Sequence, residues 1–131
     1  MSQTDPLSAT PRLTRRDIPT VLHVACNVCG CSTDDLYSRS RHPSMVAARQ
    51  IVVRLLRDNS HLSFPEIARV MGRENHSTTI TQYQRIESLL KLPRGDAWRL
   101  VQVTSRTTAD IGEMLELAEM GLGLGKEMCL P

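Results

Sequence analysis

Aromatic residues are scarce in this 131-residue chain: one Phe, one Trp and two Tyr, 3% in all. It also lacks any apolar run near the roughly 20 residues that span a bilayer. The first 14 residues, Met1 to Thr14, are polar rather than apolar. These absences speak against a membrane protein and a secreted precursor. No export signal precedes the four cysteines, Cys26, Cys29, Cys31 and Cys129. The setting expected for them is reducing and cytoplasmic. What is there, 40% hydrophobic residues over this length, suits one compact soluble domain.

Charge is nearly balanced, 16 Lys+Arg against 14 Asp+Glu, yet unevenly placed. Residues 39–91 hold an excess of five positive charges, from Arg39, Arg41, Arg49, Arg54, Arg57, Arg69, Arg73, Arg85 and Lys91, while both flanks are slightly acidic. A negatively charged partner would meet the middle of the chain, although a solvated basic face would look similar.

The pattern of apolar residues predicts an all-α, multi-helix bundle. Residues 1–16 have two prolines, several Ser/Thr and no apolar period, so they are expected to form a flexible arm. Asp17 is placed to cap a first helix carrying Ile18, Val21, Ala25 and Val28 up to Gly30. Ser32 and Asp35 resemble a second capped turn, and Ser38 to Ser44 reads as an exposed basic loop. Ala48, Ile51, Val52, Leu55 and Leu56 form the stripe of a longer helix, with Arg49, Arg54 and Arg57 off it. Ser63, Phe64, Pro65 and Glu66 make a capping box for a short helix through Met71. Gly72 suits a turn, and Asn75 can cap a third helix. On that helix Thr79 or Ile80, Tyr83, Ile86 and Leu90 face inward, while Ser77, Thr78, Thr81, Gln82 and Arg85 stay outside. A further helix is expected from Asp96, with Trp98, Leu100 and Val101 closing the core. Ile111, Met114, Leu115, Ala118 and Leu122 make a last stripe that either packs back or serves as a partner surface.

A short helix, a tight glycine turn and a longer helix opening on small polar side chains is the layout of a helix-turn-helix. The first turn of such a helix aims backbone N–H groups and positive dipole at phosphates. Side chains as short as those of Asn75, His76, Ser77 and Thr78 let it approach base edges. Three blocks sharpen the pattern: Ala48-Arg49-Gln50, Ser63-Phe64-Pro65-Glu66-Ile67, and the run from Met71 to Ile80. In order and spacing they resemble the C-terminal DNA-binding domain of the bacterial replication initiator DnaA, a Trp-repressor-like helix-turn-helix, over about Ile18 to Ile86. That family has Arg-Gln, then Ser-Leu-Pro-Glu-Ile, then Phe-Gly-Gly-Arg-Asp-His-Thr-Thr-Val.

The resemblance implies that Arg41, with Arg39 beside it, enters the minor groove of an A·T-rich flank, where negative potential is focused. It implies that Arg49 and Gln50 contact bases or adjoining backbone, and that His76, Ser77 and Thr78 enter the major groove. Arg73, Asn75, Thr81, Gln82 and Arg85 complete the expected DNA-facing set, and Arg57, Arg69 and Arg85 would add phosphate contacts. Departures from the family bear on specificity. Its second Gly is Arg73 here, its following Arg is Glu74, its Asp is Asn75 and its first Thr is Ser77. Asn75 keeps a capping oxygen, drops a charge and gains a donor, so a related site rather than the standard initiator box is expected.

Other chemistry has weaker signals. Gly121 to Lys126 is followed by Glu127 rather than Ser or Thr and lacks P-loop spacing, so it reads as a flexible tail with no nucleotide bound. With no ATP-binding motor expected, the chain should act as an isolated module that cannot melt an origin itself. Cys26, Cys29 and Cys31, with His23 nearby, offer one pair at metal spacing, whereas a structural zinc site wants four ligands. Free core or half-exposed thiols are the plainer reading, and no metal or other cofactor is expected. His42 and His61 have no acid–base partner, and no enzyme activity is expected.

The expected organisation is thus an arm over 1–16, a DnaA-like domain over 17–106, and a C-terminal helix with a Gly-rich tail over 107–131. The expected function is sequence-specific binding of double-stranded DNA in transcription regulation or replication initiation, in the cytoplasm at the nucleoid, with no membrane partner. The alternative is a protein-interaction module that uses the C-terminal helix for a partner or for self-association. A thiol or metal enzyme on the cysteine cluster would explain the cysteines alone.

Overall fold

The structure, a computed structural model, describes residues 13–38, 42–72, 76–94, 96–102 and 108–124. Among these the chain forms helices α1 (Ile18–Cys29), α2 (Thr33–Leu36), α3 (Pro43–Asn59), α4 (Phe64–Val70) and α5 (His76–Leu90). A two-stranded ribbon, β1 (Leu100–Gln102) and β2 (Thr108–Asp110), then leads into α6 (Ile111–Gly121). The fold is all-α with this one small ribbon as an annex.

Helix α3 is the hub. It contacts α1, α2, α4, α5, α6 and β1, and Ala47, Ala48, Ile51, Val52, Val53, Leu55 and Leu56 are all buried. A single amphipathic stripe is expected to leave Arg49 outside, but a helix packed on so many sides has little outside. Arg49 and Gln50 are each 4% exposed, which corrects the expectation for Arg49. Helix α1 lays Val21, Leu22, Ala25, Cys26 and Cys29 on this hub. It ends at Gly30 in the left-handed conformation, whose N–H donates to the Cys26 carbonyl at 2.8 Å.

The described fold includes residues N-terminal to Asp17. Leu13 is buried in the core, its N–H donates to the Asn59 carbonyl at 2.8 Å, and a 3₁₀ turn follows over Arg15–Asp17. Residues 1–12 lie outside the described residues. Asp17 does not cap α1 with its side chain. Its carboxylate instead accepts from the Thr14 N–H at 2.9 Å and hydroxyl at 3.2 Å, so the turn it stabilises is the 3₁₀ one.

The C-terminal third departs furthest from the periodicity. Asp96 caps a 3₁₀ turn over Ala97–Arg99 rather than an α-helix. The chain then extends as β1, antiparallel to β2 with Leu100 opposite Asp110 and Val101 opposite Ala109. Of these six residues only Val101 and Thr108 favour a strand by themselves, so the ribbon rests on the pairing of its two strands rather than on local propensity. Trp98 and Leu100 are therefore not core residues: Trp98 is 81% exposed and Leu100 44%. Val101 is half-buried.

Helix α6 packs back onto α1, α3 and α5 and buries Ile111, Met114, Leu115 and Ala118, the stripe that an interaction helix would have offered. The Cys29 thiol lies 4.0 Å from the Met114 sulfur across this contact. Leu124 is also buried, so the Gly-rich stretch begins docked, with Gly125–Pro131 outside the described residues. Among the described residues no helix is long and apolar enough to cross a membrane.

Candidate nucleic-acid interface

Helices α4 and α5 stand as a helix-turn-helix on α3. Ser63 caps α4: its hydroxyl accepts from the Glu66 N–H at 3.4 Å, and the Glu66 carboxylate accepts from the Ser63 N–H at 2.9 Å. This pairing, ahead of an ion pair with Arg15, holds the Glu66 carboxyl below the usual carboxylate range. Ile67, Ala68 and Met71 anchor α4 in the core. Gly72 then turns the chain at φ +71°, and a β-carbon there would sit 3.1 Å from the Tyr37 ring. Both the dihedral and the close approach call for glycine.

Several contacts fix the roll of α5. Thr79 and Ile86 are fully buried, and Ile80, Gln82, Tyr83, Leu89 and Leu90 are half-buried. The Tyr83 hydroxyl donates to Asp58 at 2.6 Å. Its ring meets Phe64 edge-on at 5.6 Å and lies under the Arg54 guanidinium. Arg54 also pairs with Asp58 at 2.6 Å and with Glu87. Burial, then the Asp58 carboxylate, pushes the Tyr83 phenol up to about 12. Sequence reasoning did not pick out this network; the one signal for it was the Arg54–Asp58 spacing of four residues.

With the inner face locked, the opposite face is determined. His76, Ser77 and Thr78 are all exposed at the first turn, followed by exposed Thr81 and Arg85 one and two turns on. The Thr81 hydroxyl donates to the Ser77 carbonyl at 3.0 Å and keeps its lone pairs for a donor. Gln82 sits at the edge, its Oε1 buried with no partner among the described residues. Arg57 is exposed beside the start of α4, its guanidinium 4.7 Å from the Phe64 ring centroid. Arg69 is exposed on α4. Of the expected set, Arg39, Arg41, Arg73 and Asn75 lie outside the described residues.

Arg49 sits apart from this face. Its guanidinium donates to the carbonyls of Leu36 at 3.2 Å, Asp35 at 3.1 Å and Ser38 at 2.8 Å. It thereby ties the C-terminal end of α2, and the residue that precedes the basic segment 39–41, to the hub helix. Gln50 lies on a different side, lining a groove with Arg85.

The three described cysteines belong to the core, and Cys129 lies outside the described residues. Cys26 and Cys29 are buried and Cys31 half-buried, all as free thiols. Burial raises all three, Cys29 to about 12, so they are held as thiols rather than reactive thiolates. No group of three or more His, Cys, Asp or Glu side chains is placed to hold a metal ion among the described residues.

A capped short helix, a glycine turn and a second helix with a locked inner face and an exposed polar first turn define a helix-turn-helix domain of the DNA-binding type. Residues 18–86 match the family model described as the bacterial dnaA protein helix-turn-helix, and the chain belongs to that family. The chromosomal replication initiator protein DnaA of Clavibacter sepedonicus is 35% identical over 75 residues, 57% of this chain and 16% of that protein. That of Trichormus variabilis is 31% identical over 106 residues, covering 81% of this chain and 22% of the relative. That of Gloeobacter violaceus is 32% identical over 108 residues, covering 80% and 24%. The chain spans less than a quarter of the length of these relatives.

Proposed function

We propose that the chain binds double-stranded DNA sequence-specifically, at sites related to the DnaA box. In this reading α5 lies in the major groove and the basic segment 39–41 in an adjacent minor groove. The observation that carries it is the exposure of His76, Ser77 and Thr78 at the first turn of a helix whose other side is pinned by Thr79, Ile86 and Tyr83. A side chain can read base edges only if its helix cannot roll, and α5 is held on both flanks. The hydroxyls and imidazole supply donors and acceptors for base edges, while Arg57, Arg69 and Arg85 face phosphates. Arg73 and Asn75 stand where the family has Gly and Asp, so the preferred site is a variant of the initiator box.

Within the cell such a protein works by occupancy, without catalysis, as a regulator of transcription or of replication initiation at the nucleoid. The test is selection of duplexes from a random pool by the full chain at near-physiological salt, where nonspecific phosphate binding is suppressed. Enrichment of a motif related to the initiator box is the expected result. An unrelated motif would make the protein a regulator with its own operator. No enrichment would overturn sequence-specific reading.

A further inference from the structure

A groove of about 400 Å³ runs between the first turns of α3 and the C-terminal half of α5. Its apolar walls come from Val46, Leu89 and Val101, and its polar lining from Gln50, Arg85 and Trp98. Gln50 is 4% exposed, and its carboxamide makes no hydrogen bond to any described residue. The amide is open to the groove, so an occupant can bond it directly. Trp98, 81% exposed, is the largest apolar side chain left in solvent and the only tryptophan of the chain.

The polar groups share a chemistry. The guanidinium of Arg85 and the indole N–H of Trp98 are pure donors, the Gln50 amide can donate, and among the described residues no carboxylate lines the groove. The fitting occupant is an anion with an apolar body, which describes a deoxyribose-phosphate strand. Position favours the same occupant. Arg85 belongs to the exposed stripe of α5 that carries Ser77, Thr78 and Thr81. Pro43, also in the groove wall, comes two residues after the basic segment 39–41. If that segment occupies a minor groove and α5 the neighbouring major groove, the strand dividing the two passes between them.

We propose that this groove seats the sugar-phosphate strand of the bound duplex, with Trp98 packing on a deoxyribose and donating its indole N–H to a phosphate. The proposal rests on the DNA-reading function above and adds a contact outside residues 18–86, the segment that matches the family. It assigns a role to a side chain whose exposure otherwise leaves a large apolar surface in water.

The single tryptophan makes the test direct. The full chain is titrated with an end-labelled duplex recovered by selection, and two signals are read together: label anisotropy for binding, and acrylamide quenching of Trp98 emission for contact. The expected result is saturable anisotropy with Trp98 shielded at the same midpoint. Trp98→Ala should weaken selected and random duplexes alike, by about three- to tenfold, the scale of one hydrogen bond. Trp98→Phe, which keeps a ring and loses the N–H, should fall between. Binding by anisotropy with Trp98 as quenchable as in the free protein would overturn the groove assignment and leave DNA reading intact. Shielding by polyglutamate but not by duplex would assign the groove to an acidic peptide and overturn the proposal too. Absence of anisotropy on every duplex would overturn the DNA-reading function beneath it.

Discussion

Thr79 and its neighbours on α5 divide into residues that hold the helix and residues that face outward, and the two kinds should respond oppositely to substitution. The Thr79 hydroxyl is fully buried with no hydrogen-bond partner among the described residues. Thr79→Val keeps the volume and removes an unsatisfied group, so it should stabilise the fold by about 1 kcal/mol, read by urea denaturation. His76 and Thr78 are exposed, and their replacement by Ala should leave that denaturation midpoint unmoved. It should weaken binding to the selected duplex by about 1–3 kcal/mol and relax sequence choice. Arg57→Ala should weaken all duplexes alike and flatten the salt dependence. Equal losses on random and selected DNA for His76→Ala would count against base reading. The polar first turn of α5 was legible because small polar residues after a glycine turn are local sequence facts. That Thr79 leaves its hydroxyl stranded was not, since satisfaction depends on what packs opposite.

At the scale of elements, side chains far apart in sequence set how the helix-turn-helix sits. Arg49 donates to three carbonyls at the end of α2, the approach to the basic segment. Lysine has one compact ammonium and cannot reproduce the guanidinium fork. Arg49→Lys should therefore cost about 2 kcal/mol of stability. Thermal unfolding and binding should fall together, whereas a pure DNA contact would spare the melting temperature. The seat of α5 has a pH signature. Because the folded Tyr83 phenol is raised to about 12, its contribution to stability is complete below the ordinary phenol pKa of about 10. It is lost as pH climbs through the folded value. An absorbance titration at alkaline pH should show this late phenol, and Tyr83→Phe should remove it. The capping boxes at Ser32 and Ser63 and the boundaries of α4 were legible in the sequence, because caps, prolines and glycines act over four residues or fewer. The Arg54–Asp58–Glu87–Tyr83 cluster joins α3 to α5 and left almost no local trace.

The whole molecule closes through a contact no periodicity suggests. Arg99 and Asp110, both buried, pair at 2.9 Å. Arg99 also donates to the Leu92 carbonyl at 2.8 Å, while Asp110 caps α6 by accepting from the Gly112 and Glu113 N–H groups at 2.8 and 3.1 Å. Gly112 makes room for the pair, since a β-carbon there would fall 1.7 Å from Arg99 Nη2. Gly112→Ala should displace the guanidinium and leave two buried charges poorly paired, at a cost of about 3 kcal/mol or more. Calorimetry should show the loss, with α6 exchanging its amide protons earlier than α3. The sequence by itself determined the helix-turn-helix, the family and the polar face of α5, because caps, turn glycines and helical periodicity are encoded by neighbouring residues. Only the tertiary structure decided that Arg49 lies inside and Trp98 outside, that a ribbon replaces a helix after Asp96, and that α6 joins the core. Each of these depends on which surfaces meet across distant parts of the chain, and a hub helix covered on many sides overrides the single-stripe rule by which its outward residues are otherwise read.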